Sequence, residues 1–155
     1  MLELVKPSEL DVAREWGRAA FMLPAAGGDP ACLPVTFLQD TQHSASLLQN
    51  WQVGRPAQAA GDGYSLDVIT YSDPQGVLEL RCEVKSYHAH PAVEWVAYLK
   101  NAGTADSGIL ADILPLDVLF PLEPALPCQV HHARGALTQV DDFEPLATPL
   151  TFRQG

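Results

Sequence analysis

Between Val77 and Tyr87 the chain alternates strictly, with Leu78, Leu80, Cys82 and Val84 on one side and Glu79, Arg81, Glu83 and Lys85 on the other. An extended strand, whose side chains point to opposite faces with a period of two, sorts such a run into one dry and one wet face. A helix would mix the two sets around its circumference. Whatever else this chain forms, it must therefore include a sheet with a core on one face only. Tyr64 to Tyr71 lies just upstream, and Ser72-Asp73-Pro74-Gln75-Gly76 between them has the proline and glycine of a tight reversal. The two runs predict an antiparallel hairpin.

The same period continues downstream. Val93, Trp95, Ala97 and Leu99 alternate with Glu94, Val96, Tyr98 and Lys100, and the strand is expected to stop at Asn101-Ala102-Gly103, residues that tolerate positive φ. Ile109 to Phe120 is nearly continuous in apolar residues apart from Asp112, Pro115 and Asp117, which predicts a buried strand bent at Pro115. Cys128 to Ala133 is expected to be the last strand. Only the start of the chain has another rhythm: Ser8-Glu9-Leu10-Asp11 resembles a helix cap, and Val12, Ala13, Trp16, Ala19 and Ala20 follow at helical spacing. A helix is expected from about Glu9 to Phe21, closed by the linker-like Pro24 to Pro30. Residues 1–32 thus read as helix and linker, and 33–155 as one mostly β domain, an antiparallel β-sandwich.

Charge narrows the partners. Nine basic residues stand against nineteen acidic ones, and none of the basic ones cluster. Binding to nucleic acid relies on basic side chains displacing counterions, so nucleic acid is not expected as a partner, and an anionic membrane would repel the chain. Cys32, Cys82 and Cys128 are too widely spaced for a zinc ribbon or a dense disulfide framework and read as reduced, mostly buried small hydrophobes. No signal-peptide pattern and no run near ~18 apolar residues is present, which makes the cytoplasm the default expectation.

Catalytic signatures are sparse. His88 and His90, or His131 and His132 with Asp141 or Asp142, are the possible metal clusters, but polar turns and solvated loops account for both, and no metal or other cofactor is expected. There is no nucleophile elbow, no reactive-cysteine motif and no phosphate-cradling glycine loop. Trp16, Trp51 and Trp95 have the ring chemistry for stacking on a sugar, although Trp95, in register with Val93 and Leu99, reads as core.

Three stretches together carry a family likeness: Ser44-Ala45-Ser46-Leu47-Leu48-Gln49-Asn50-Trp51, the run Pro91 to Asp106, and Ile109-Leu110-Ala111-Asp112-Ile113. They resemble the N-terminal sandwich of melibiase-like α-galactosidases, glycoside hydrolase family 36 and its relatives. His131 to Gly135 followed by Asp141 to Leu146 is similar to the segment that leaves the sandwich in such enzymes. The resemblance implies a β-supersandwich leading into a (β/α)8 barrel, with two barrel aspartates hydrolysing α-galactosides with retention. A barrel alone takes about 250 residues, so this chain cannot hold it, and no catalytic residue carries over. The expectation is a piece of a larger glycoside hydrolase, a non-catalytic domain whose partner is the catalytic barrel. Arg134, Asp141 and Asp142 are the residues expected at a substrate rim, where polar side chains can bond sugar hydroxyls. An independent carbohydrate-binding or protein-interaction module is the alternative, and a small metal-dependent enzyme built on the His and Asp clusters is a third reading.

Overall fold

A computed structural model describes residues 5–54, 57–118, 128–133, 135, 136, 138, 140 and 142–150. By its internal contacts the chain divides into two units, Met1–Val118 and Leu119–Gly155.

The first unit begins with helix α1, Pro7–Gly17. Proline at the first helical position loses nothing, because its missing N–H has no intrahelical acceptor there, and the Lys6 N–H instead donates to Glu9 Oε2 at 3.0 Å. The helix thus starts one residue before Ser8, the cap suggested by the sequence. It also runs past Phe21, through a π-helical turn at Arg18–Met22 into a last turn, α2, Leu23–Ala25. Pro24 cannot donate to the ordinary ladder, and the wider turn just ahead of it, where Leu23 N–H reaches back to Arg18 O, makes room for its ring. The stop comes at Gly27, whose φ of +96° lets Gly28 N–H return to Leu23 O (2.7 Å) and Gly27 N–H to Pro24 O (3.1 Å).

A 3-10 turn at Pro30–Cys32 leads to β1 (Thr36–Gln39), β2 (Gln42–His43), helix α3 (Ser44–Leu47) with a 3-10 turn at Leu48–Asn50, and β3 (Gln52–Val53). β4 (Ala57–Gly61), β5 (Tyr64–Ser72), β6 (Leu78–Tyr87), β7 (Val93–Asn101) and β8 (Leu110–Leu114) complete the unit. All pairings are antiparallel. β5, β6 and β7 follow one another in a five-stranded sheet with β7 at one edge and β3 and β4 both along the other side of β5, while β1 lies between β2 and β8 in a second, three-stranded sheet.

The alternation in β6 does what it predicts. Leu78, Leu80, Cys82 and Val84 are buried, and with Ile69 and Tyr71 of β5 they meet Phe21 from the helix, Phe37 from β1, and Leu33, Leu48 and Trp51. One face of the large sheet is thus the core, covered by the helix and by β1. The opposite face of β6 keeps its charges at the surface, where Lys85 Nζ and Tyr87 Oη both donate to Glu94 at 2.8 Å. The fold is mostly β and antiparallel, two-layered like a sandwich, with one short N-terminal helix.

The apolar run from Ile109 departs from expectation. β8 ends at Leu114, before Pro115, and it is an exposed edge rather than a buried strand: Ile109 is 75% exposed, Ile113 50%, Leu114 47% and Leu116 62%. The register explains the phase. Thr36 pairs with Leu114 and Leu38 with Ala111, so β8 carries an extra residue, and Asp112 takes it up at a φ of +47°. Beyond the strand the chain is tied down by polar bonds. Thr36 Oγ1 donates to Asp117 Oδ2 (2.8 Å), Asp117 N–H to Pro34 O (2.8 Å), and Trp95 Nε1 to Pro115 O (2.9 Å).

In the second unit, β9 (Cys128–Ala133) is where the sequence places a strand, but it is not the last: it pairs in full register with β10, Pro145–Leu150. Two prolines disguise β10 as loop. Pro145 and Pro149 sit four pairs apart, an even spacing that puts both on the same side of the ladder, where a proline nitrogen can face the strand's free edge without losing a bond.

Candidate functional site

A cleft of about 910 Å3 in the first unit is bounded by the β1–β2 turn, α3 with the turn that follows it, and the β5–β6 loop. Each wall has a local cause. The β1–β2 turn is made by Asp40 at a φ of +55°, a conformation Asp tolerates, and held by Asp40 N–H to Ile109 O (2.7 Å) with Ile109 N–H returning to Asp40 Oδ1 (3.0 Å). His43 caps α3 by accepting Ala45 N–H on Nδ1 at 3.2 Å, so a neutral ring carries its proton on Nε2. Ser44, fully buried behind it, accepts Phe37 N–H at 3.2 Å and locks α3 to β1.

The β5–β6 loop is organised by Asp73, only 8% exposed. Its carboxylate accepts Leu78 N–H at 2.6 Å and Val77 N–H at 3.1 and 3.2 Å, while Gly76, at a φ of +70°, turns its N–H onto Asp73 O (3.0 Å). Burial pushes this carboxyl's pKa up, but the backbone N–H groups of Leu78, Val77, Gln75 and Gly76 outweigh that and hold it below the usual value.

What remains free to meet a ligand is a set of side-chain amides, Gln39, Gln42, Asn50 and Gln75, around Trp51 on the cleft wall. Both carboxylates lining the cleft, Asp40 and Asp73, accept backbone N–H groups, and the His43 ring lines it as well. Amides both donate and accept, which suits neutral hydroxyl groups. Sequence reading passed over these residues because they are scattered singly. The available signal was that each stands within a few residues of a turn-forming Asp or a helix start.

The residues singled out by sequence distribute differently. Arg134 and Asp141 lie outside the described residues; Asp142 is half-buried in the connection between β9 and β10. His132 Nε2 lies 3.0 Å from Thr148 Oγ1, and His90 contributes its carbonyl to Ala92 N–H at 2.8 Å. Among the described residues no three His, Cys, Asp or Glu side chains come together as a metal-binding group. The tryptophans offer no open platform. Trp51 packs beside Phe37, and Trp16, Phe21 and Trp95 form one aromatic cluster with centroids 5.5–6.5 Å apart, so Trp95 packs against the core, on the face its register predicts. Cys82 is buried, whereas Cys32 is exposed, contrary to the buried position expected for it. No described helix is long and apolar enough to cross a membrane.

No family model, curated protein or solved structure matches the chain. Function therefore has to be argued from the site and the surface. Two features matter most: a cleft lined by side-chain amides, and an edge strand whose large apolar side chains stand in solvent.

Proposed function

We propose that this chain is the non-catalytic sandwich domain of an α-galactosidase-like glycoside hydrolase, packing against and supporting a catalytic (β/α)8 barrel that lies outside it. The observation that supports the reading is the concentration of exposed apolar side chains in and beside β8: Ile109, Ile113, Leu114 and Leu116. Full burial of such a side chain is worth about 1.5–3 kcal/mol, and each of these still has about half or more of its surface left to cover. Docking within one polypeptide uses that surface efficiently, because a linked partner is already at high effective concentration. Ile109 to Ile113 is also one of the three stretches that resemble the family 36 sandwich.

The test compares the chain alone with the product of its full reading frame. The chain alone is expected to leave α-galactosides intact, and the longer product to cleave them. Ile113→Asp with Leu116→Asp is expected to leave the melting temperature of the chain nearly unchanged and to lower that of the longer product. Hydrolysis by the chain alone, or a frame that ends without a barrel, overturns the proposal.

A second reading, an independent carbohydrate-binding module, is favoured by the amide-lined cleft. It requires saturable binding of galactose or an α-galactoside by the chain alone, weakened by Gln42→Ala or Asn50→Ala.

A further inference from the structure

The large sheet's inner face does not stay apolar along its whole length. On β5, Ile69 and Tyr71 are core, but Asp67 and Ser65 continue the same face. On β6, Ser86 continues the face of Leu80, Cys82 and Val84, and it pairs directly with Ser65; on β4, Gln58 pairs with Asp67. An all-structural sandwich places aliphatic side chains there. Polar residues at inward positions mark a place where the fold gives up burial for another purpose.

Above this polar end runs the N-terminal helix. At Gly17 it comes so close to the sheet that an added Cβ would stand 3.2 Å from Val93 Cγ2 and 3.8 Å from Ser86 Oγ. Arg14 and Arg18 flank that contact, and together with the polar inner face they line a cleft of about 460 Å3. Arg14 is steered there by Asp11, 3.8 Å away, and by donating to His88 O at 3.3 Å. Arg18 makes no ion pair and Asp67 no side-chain hydrogen bond among the described residues. In a chain of net charge −10, two of only nine basic residues converge on one small cleft.

We propose that this cleft binds a small hydroxylated oxyanion, a phosphate monoester or a hydroxycarboxylate. The guanidinium groups of Arg14 and Arg18 receive the anionic head, since their planar forks match oxyanion geometry. Asp67 and Gln58 receive the hydroxyls, and the Ser65 and Ser86 positions close the floor. The volume is that of a monosaccharide-sized ligand. The site belongs to the chain itself and does not depend on the barrel proposed above.

Calorimetric titration of the purified chain tests it, with glycerol 3-phosphate, gluconate, inorganic phosphate and glucose as probes at constant ionic strength. At least one hydroxylated anion is expected to bind at a single saturable site, more tightly than glucose, and the better of the phosphate and carboxylate probes identifies the head group. Arg18→Gln, at an exposed position that leaves folding intact, is expected to weaken that binding about tenfold or more. Asp67→Asn, which removes a like charge and a hydroxyl acceptor together, is expected to weaken the hydroxylated anion relative to inorganic phosphate. Absence of saturable binding by every anion, glucose binding as tightly as the anions, or undiminished binding by Arg18→Gln overturns the proposal.

Discussion

Asp73 makes a sharp test of how the central hairpin is held. Replacing it with alanine removes the acceptor of two backbone N–H groups, those of Val77 and Leu78, and Leu78 is fully buried. Hydrogen bonds to a charged acceptor are worth about 1.5–3 kcal/mol each, but the half-buried Val77 N–H can turn partly to water. The expected loss is therefore about 2–4 kcal/mol, which for a chain of this size lowers the melting temperature by roughly 6–12 °C. Asparagine, which keeps one oxygen but no charge, is expected to lose about half as much. The pH dependence has a definite sign. Because the folded carboxyl has a lowered pKa, the unfolded chain takes up the proton first as pH falls through the ordinary carboxylate range. The contribution is complete above about pH 4–5 and shrinks as pH falls further through the folded-state pKa. Urea unfolding of the wild type and of Asp73→Asn from pH 7 down to pH 3 should show a gap that closes at the acid end. A gap that is constant across that range, or absent at pH 7, would refute the reasoning.

The buried hydroxyl of Tyr71 has no hydrogen-bond partner among the described residues, so Tyr71→Phe is expected to be neutral or to stabilise by up to about 1 kcal/mol in urea unfolding; a clear destabilisation would reveal a partner. Burial pushes the Cys82 thiol up to about 12. With Cys32 and Cys128 replaced by serine, the remaining thiol is expected to resist a disulfide reagent at pH 8 until the chain is unfolded, and rapid labelling of the native chain would contradict its burial. Gly27→Ala meets no atom within 4 Å but must adopt a φ of +96°, so it is expected to cost about 1 kcal/mol of thermal stability through the backbone alone.

Legibility followed from how local the physics was. The β5–β6–β7 meander could be read almost to the residue, because alternation, a proline–glycine turn and an Asn-Ala-Gly stop all act within a few positions. β8 could not. Its burial depends on which strand it pairs with and on the bulge at Asp112, neither visible in a run of apolar letters. β10 was hidden by Pro145 and Pro149, whose compatibility with a strand is decided by which edge they face. The helix end moved because a π turn absorbs Pro24, a tertiary accommodation of a local breaker. The clefts were illegible for a different reason. Gln42 and Gln75, or Arg18 and Asp67, meet only after three or four chain reversals, and none of them belongs to a motif of fixed spacing.

The role proposed for Ile109 to Leu116 is that of a contact face for a catalytic barrel outside this chain. Hydrogen–deuterium exchange over that segment, measured for the chain alone and for the full product of its reading frame, addresses it directly. Fast exchange in the former and strong protection in the latter is the predicted result, and equal exchange in both would contradict it.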